Sequence, residues 1–487
     1  MNVTTNFSHI AYRLQENVEM CESGDRIIAT SPFFQVTISR LSPALRQVMM
    51  KLAEKACSMQ WINEALIKAR EESAQATFYR YLSSLIRHQM LYIIYTGSEN
   101  QEKPLATLMP ISLHFRHQWP NIRADQAYRI SRFAYVRRDE DGCNYLESPL
   151  SHARMGLDSL VAASVIYQLG TAATPVELAQ NLRVEGVDDV TSLLALLVMG
   201  NFALPTTSDG RLDEDENEAL MQWDFHDLLF HSRSRRGRHN NMVGGTYRFL
   251  DRLPPRPAVK QAQWPLTIAL SRPDMEQLCK IEPGLAAVME ARTSIRDYSE
   301  RAITLAQLGE FLYRVARVKE VYSDDEGDDF TRRPYPAGGS CYEIELYLTV
   351  DRCEGLTPGF YWYDPLNHAL AFIQEPNKDT EKILFDAYES TGGPDRPQIL
   401  ITLAARFQRV SWKYQNIAYA LILKDVGVIY AMMYLVATAM NLAPCALGAG
   451  DSDLFTSLAG SDYFKETSVG EFALGLPAAA SELKVSQ

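Results

Sequence analysis

The chain has 487 residues, 46% of them apolar, 22% charged and 10% aromatic, proportions that exclude wholesale disorder, collagen-like repeats and a coiled coil. At about 100–200 residues per domain, the length suits several domains with buried cores. Lysine and arginine total 48 against 60 for aspartate and glutamate, a formal charge of −12. Such a surface repels a phosphate backbone and makes nucleic acid a poor partner. Seven scattered cysteines without a C-x-x-C pair read as the reduced thiols of a cytoplasmic protein rather than a disulfide frame or a metal site.

From the N-terminus, Met1 to Glu19 lacks the apolar core of a secretory signal. Ser31–Arg40 alternates like a strand. Helical spacing follows over Pro43–Ala56, Trp61–Arg70 and Ala74–Arg87, and then two β-rich stretches, Met90–Thr96 and Leu105–Leu113. A second unit repeats the plan. It has a strand at Tyr128–Val136, a turn at Asp139–Gly142, a return strand through Tyr145, and helices at Asp158–Leu169, Pro175–Leu182 and Val190–Leu197, with a wing around Phe202–Leu212. Three short helices and a hairpin, twice over, is a tandem winged-helix plan. The usual winged-helix role is DNA reading, but the last helix of the second unit opens on Asp188-Asp189 and carries no basic residue. Binding a peptide by strand addition to the wing is the better expectation. A short helix after Gln222 leads into the basic run His231–His239 (HSRSRRGRH), whose plain reading is a solvated loop pairing with the acidic surface. His226, His231 and His239 match no metal spacing. Pro254–Pro265 is the clearest boundary in the chain.

Beyond it, Thr304 and Gln307 form a capping box ahead of Leu305, Leu308, Phe311, Leu312 and Val315 at helical spacing. Tyr342, Ile344, Leu346, Leu348 and Val350 alternate with Glu343, Glu345, Tyr347 and Thr349, which predicts a half-buried strand. A hairpin over Phe360–Tyr363 and Ala369–Ile373, a strand at Gln398–Ala405, a helix at Tyr414–Met440 and a last strand at Val469–Leu474 complete an α+β pattern. Val426–Gly450 contains no charged residue and is long enough to cross a bilayer. Asn441, Pro444 and its glycines interrupt it, and no basic flank follows, so a helix buried on all sides in a domain or subunit interface is expected, with no membrane partner.

The familiar phosphate-loop, dinucleotide, zinc-protease and nucleophile-elbow signatures are missing. Arg292-Thr293-Ser294-Ile295-Arg296 places two guanidinium groups and two hydroxyls together, which suits either a phosphate or a salt-bridged helix end. Pro336-Ala337-Gly338-Gly339 is a rigid turn followed by bare backbone, open to close approach by a flat ring, and Leu447-Gly448-Ala449-Gly450 is a second such place.

In this order the segments ARTSIRDY (291–298), RPYPAGGSCYEIELYLTV (333–350), WKYQNIAYALILKDVG (412–427), YLVATAMNLAPCALGAGDSDLF (434–455) and ETSVGEFALG (466–475) carry a resemblance. They resemble the nitroreductase-like flavoproteins, and within them the SagB-type azoline oxidases, in particular the cyanobactin-type thiazoline oxidases. The segment FHDLLFHSRSRRGRH (225–239) fits the linker of that family. The resemblance implies peptide-clamp domains at 1–125 and 126–220, a linker at 221–265 and an FMN-binding oxidase domain at 266–487. It implies a homodimer with FMN at the interface. Arg292, Thr293, Ser294 and Arg296 would hold the phosphate, Pro336, Ala337, Gly338 and Gly339 would approach the ring from the other subunit, and Leu447, Gly448, Ala449 and Gly450 would line its reactive edge. Lys413-Tyr414 matches the essential pair of the family, acting as base either through a lysine whose pKa burial lowers or through a tyrosinate. The substrate would be an azoline-containing precursor peptide and the reoxidant O₂. A general NAD(P)H-dependent nitro- or quinone reductase is the alternative. Two positions depart from the family, Ala337 where Ser is frequent and Ala420 where Arg is frequent.

Overall fold

A computed structural model describes residues 9–68, 72–97, 104–183, 187–325 and 329–478. Contacts divide the chain into two units, Met1–Asn241 and Met242–Gln487.

The first unit is built on a seven-stranded antiparallel sheet. Its order is Cys57–Ser58, Ile10–Leu14, Leu91–Tyr95, Ala106–Pro110, Ala153–Leu157, Asn144–Glu147 and Tyr135–Arg138. The two segments anticipated as separate units therefore contribute strands to one sheet, and a single apolar core runs from Ile10 to Ala203. Two helix triplets pack on it: Pro43–Glu54, Met59–Lys68 and Glu72–Arg87, then Leu160–Gln168, Pro175–Leu182 and Val187–Met199. Local chemistry starts several of them. Ser42 caps the first helix with Pro43 behind it, and Thr174 and Glu177 form a full capping box ahead of Pro175. The expected strand Tyr128–Val136 is two short ones, Tyr128–Ile130 and Tyr135–Arg138, because a turn closes from Ala134 N–H to the Ser131 carbonyl. Tyr128–Ile130 pairs instead with Ala203–Pro205, inside the stretch anticipated as a wing.

The second unit holds another seven-stranded antiparallel sheet, ordered Thr267–Ala269, Ala369–Gln374, Gly359–Asp364, Ile344–Val350, Ile399–Arg406, Glu466–Gly475 and Ala443–Leu447. The central strand Ile344–Val350 is buried at every position, not on one face as its alternation predicts. Apolar layers cover both sides: Ile344, Leu346 and Leu348 belong to one, and Tyr347 packs with Phe360 and Trp362 in the other. Glu345 and Tyr347 survive burial through partners on neighbouring strands. Glu345 accepts from Trp362 Nε1 at 3.2 Å and faces Arg406 at 3.4 Å, while Tyr347 donates to Glu466 at 2.7 Å. A buried carboxylate without such partners would cost several kcal/mol.

The long helix spans Ala418–Ala439, four residues later than the spacing suggests. Tyr414-Gln415 is instead a short strand paired with Gly244-Gly245, and Asn416 at φ 61° turns the chain before the helix can begin. At the other end Asn441, at φ 52°, turns it into the Ala443–Leu447 strand, so Cys445 is core within a sheet rather than a helix end. The helix is long and apolar enough to cross a membrane by length and composition. Within the chain it is buried on one face only, through Ile422, Val426, Ile429, Met433, Val436 and Ala437. Tyr419, Leu423, Gly427 and Ala431 recur at four-residue spacing as an exposed apolar stripe.

The proline-rich connector is fastened down. Trp412 Nε1 donates to the Leu253 carbonyl at 2.7 Å, Arg409 to that of Arg256 at 2.6 Å and Arg406 to that of Pro257 at 2.5 Å. Lys260 Nζ then bridges Glu466 at 2.7 Å and the Tyr347 hydroxyl at 2.5 Å.

Candidate active site

The site residues read from the sequence fall into two groups along the long helix. At its C-terminal end, Tyr434 organises the first. Its hydroxyl accepts from Ala446 N–H at 2.8 Å and so can donate to Ser294 Oγ, also at 2.8 Å. The Arg292 guanidinium lies 5.3 Å from the Tyr434 ring centre, and Ile295 N–H donates to the Pro444 carbonyl at 2.9 Å. Arg292, Thr293 and Arg296 are exposed, and among the described residues no carboxylate lies within salt-bridge distance of either arginine. The salt-bridged helix end is thereby set aside. Two uncompensated guanidinium groups and a hydroxyl remain, a donor set suited to a phosphate. Leu447-Gly448-Ala449-Gly450 continues directly from Ala446. A side chain at Gly450 would collide with the Glu471 carboxyl, which burial raises to about pH 7. Nothing in the chain crowds Gly448.

The second group lies against Leu421 and Asp425, nine residues earlier on the helix and so about 14 Å along its axis. Gly338 N–H donates to both Asp425 carboxyl oxygens, at 3.1 and 3.0 Å. Gly339, at φ 60°, presents its carbonyl to Lys413 Nζ at 3.3 Å. The Tyr414 ring lies directly over Gly339, and a Cβ there would stand 2.1 Å from the Tyr414 hydroxyl oxygen. Pro336 is exposed and Ala337 half-buried beside them. Lys413, Tyr414 and the Gly338-Gly339 turn thus form one constellation within one chain. Short-strand pairing to Gly244-Gly245 and the Asn416 turn aim the two side chains.

Lys413 does not have the lowered pKa anticipated from burial. Its partial burial favours the neutral amine, but interactions with the phenol groups of Tyr414 and Tyr247 outweigh this and raise its pKa. It is an ammonium at neutral pH. Burial also raises Tyr414, against the pull of the Lys413 charge. A cavity of about 310 Å³ opens beside the pair, with Tyr247, Phe330 and Trp412 as aromatic walls and the Cys341 thiol at its edge. The connector, through Pro255, Arg256, Pro257 and Ala258, forms one side of it.

Sequence reasoning passed over Asp425, Glu343 and Tyr434. Asp425 and Glu343 are both buried, and burial raises the pKa of each carboxyl; the Asp425 charge pushes Glu343 further, up to about 8, while the hydrogen bonds from Gly338 N–H and Glu343 hold Asp425 back. The available signal was a lone acid in an otherwise apolar helix.

Residues 289–476 match the model of the nitroreductase family, whose members are flavoproteins, and residues 128–240 match that of the cyanobactin oxidase ThcOx. The second unit thus carries a nitroreductase-family domain, and the first a segment similar to the cyanobactin oxidase ThcOx. Among curated proteins similar to this chain, the putative nitroreductase MJ1384 of Methanocaldococcus jannaschii is 27% identical over 183 residues, 38% of this chain and 85% of that protein. The Microcin B17-processing protein McbC of Escherichia coli is 30% identical over 129 residues, 25% of this chain and 44% of McbC, so the match spans less than half of that relative. Among solved structures, a putative nitroreductase of Ralstonia eutropha aligns with 18% identity over 47% of this chain and 96% of that one, at a TM-score of 0.34. The E. coli microcin synthetase McbBCD complex with truncated pro-MccB17 aligns with 20% identity over 55% and 98%, at 0.31.

Proposed function

We propose that this chain oxidises thiazolines or oxazolines in a precursor peptide to aromatic azoles, as a homodimer with FMN as its cofactor. The observation that carries the reading is the convergence of Lys413 and Tyr414 on Gly339 beside an aromatic-walled cavity. The residues fit FMN: among the described residues no carboxylate lies within salt-bridge distance of Arg292 or Arg296, which with Ser294 would take the phosphate, and Gly448 and Gly450 would flank the ring. Bound FMN would supply a hydride acceptor. The two groups lie about 14 Å apart on one helix, and the stripe Tyr419–Leu423–Gly427–Ala431 gives a second copy a surface on which to complete each site. The ThcOx-like segment and the helix triplets of the first unit would act as winged-helix peptide clamps. Seven free cysteines suit the cytoplasm.

Azole formation removes a hydride from one ring carbon and a proton from its neighbour. In this reading Tyr414 takes the proton as phenolate, and Lys413, already charged, stabilises that phenolate electrostatically. The cavity beside them would hold the ring and its flanking residue against Tyr247, Phe330 and Trp412. Lys413→Ala and Tyr414→Phe should retain bound flavin, read near 450 nm as for flavins in general (about that value). Both should lose azole formation, read as mass loss on an azoline peptide, by roughly 10²–10⁴-fold. The rate should climb with pH across the neutral range, and Lys413→Ala should move that climb to higher pH. Full turnover in both variants, or rapid flavin bleaching by NADPH without azoline oxidation, would overturn the proposal.

A further inference from the structure

The first unit contains a cavity of about 900 Å³ far from the chemistry assigned above in sequence and wholly within Met1–Asn241. Four arginines wall it: Arg87 at the end of its helix, Arg116 in the loop after Ala106–Pro110, and Arg236 and Arg238 from the basic run. His114 and His152 add two imidazoles with ring centres 5.5 Å apart. The basic run was expected to pair with surface acids. Among the described residues only Arg233 of its arginines does so, meeting Glu147 at 3.5 Å. Arg238 donates instead to the Pro149 and Leu150 carbonyls, at 3.4 and 3.2 Å, which ties the run to another part of the cavity wall. Arg87 donates to the Leu113 carbonyl at 3.2 Å. Among the described residues none of the four arginines has a carboxylate within salt-bridge distance, although acids outnumber bases 60 to 48 in the chain. A concave site lined by one sign of charge focuses its field and gathers the opposite sign.

We infer that this cavity binds a carboxylate-rich, amphipathic peptide segment; the inference rests on the peptide-oxidase reading and assigns a second peptide contact to the first unit. Three features favour that occupant. Arginine forks match carboxylates bidentately. Leu113, Leu150 and Met199 stand between the arginines, so apolar side chains must alternate with the acids of the ligand. The volume lies near the top of the range of about 300–1,000 Å³ for ligand pockets, far beyond a single phosphate. A nucleic acid would instead need an extended basic face with exposed aromatic platforms, whereas Phe115, the one aromatic ring of the wall besides the imidazoles, is buried.

The test is fluorescence anisotropy of the full chain with a fluorescein-labelled peptide of alternating glutamate and leucine, and with its glutamine–leucine counterpart. The glutamate peptide should bind, and binding should weaken with salt. Arg116→Glu with Arg236→Glu should weaken it by roughly tenfold or more, as lost charged hydrogen bonds require. Arg235→Glu, which makes the same charge change at an exposed neighbour outside the cavity wall, should leave it intact. Arg116→Gln with Arg236→Gln repeats the experiment without charge reversal, and thermal melting checks the fold. Equal binding of the two peptides, no binding of either, equal loss in Arg235→Glu, or preferential binding of pyrophosphate or a single-stranded oligonucleotide would each overturn the inference. The assay needs neither flavin nor turnover, so its failure would leave the oxidase reading intact, and its outcome can be read separately from that of the oxidase assay.

Discussion

Gly339→Ala is the sharpest perturbation of the site. The residue sits at φ 60°, a conformation that costs a side-chain-bearing residue about 1–2 kcal/mol. The new methyl would stand 2.1 Å from the Tyr414 hydroxyl oxygen and 2.9 Å from its Cζ. Ordinary contact needs at least about 3.4 Å, so the tyrosine must shift by more than an ångström. A displacement of about 1 Å at a reacting group is worth roughly 10²-fold in rate. Gly338→Ala is the matched control. Its methyl would meet Leu421 at 3.4 Å and Asp425 at 3.6 Å, contacts that need no movement. Steady-state oxidation of an azoline peptide, with flavin absorbance and thermal melting alongside, should show Gly339→Ala folded, flavin-bound and slowed about a hundredfold, with Gly338→Ala near wild type. Equal turnover in the two variants would refute the placement of Tyr414 over Gly339 as the working geometry.

Arg292→Ala combined with Arg296→Ala should release flavin on gel filtration, since two phosphate-binding forks are lost, while the melting temperature of the apoprotein stays close to wild type. Glu343 has a folded pKa raised from 4.5 to about 8, so the folded state binds the extra proton between those values and wild-type stability falls as pH rises through that window. Glu343→Gln removes this slope, and urea midpoints should shift in favour of the variant at pH 8 relative to pH 5; parallel curves would contradict it. Lys260→Met leaves Glu466 and the Tyr347 hydroxyl without their cation in a nearly closed site, and should cost about 3–5 kcal/mol in urea unfolding.

Elements whose formation is local were legible in the sequence. The Thr304–Gln307 capping box and the hairpin over Phe360–Tyr363 and Ala369–Ile373 are where residue chemistry places them. What depends on distant chain was not. Ile10–Leu14 gives no sign that it pairs with Leu91–Tyr95, and the alternating glutamates of 343–350 imitate a solvated face because Trp362 and Arg406, which satisfy Glu345, are supplied by other strands. The Tyr414 strand looked helical because nothing in its composition marks Asn416 as the residue that turns left-handed. Arg292–Arg296, Gly338-Gly339 and Lys413-Tyr414 stood out as motifs through the family resemblance. The carboxylate that holds the Gly338 turn did not, since Asp425 acquires meaning only when a turn 87 residues away settles on it. The Lys413 pKa went opposite to expectation because the side chain is only partly enclosed and stands among phenols.

Cutting this protein where its prolines cluster would be a mistake. A catalytic fragment begun after Pro265 would strip the indole N–H of Trp412 and the guanidinium groups of Arg406 and Arg409 of their carbonyl acceptors and take away the cation seated on Glu466. It would also remove one wall of the aromatic cavity. A fragment begun at Met242 keeps all of these, together with the glycine pair that aligns Tyr414, and is the place to divide the gene for separate expression.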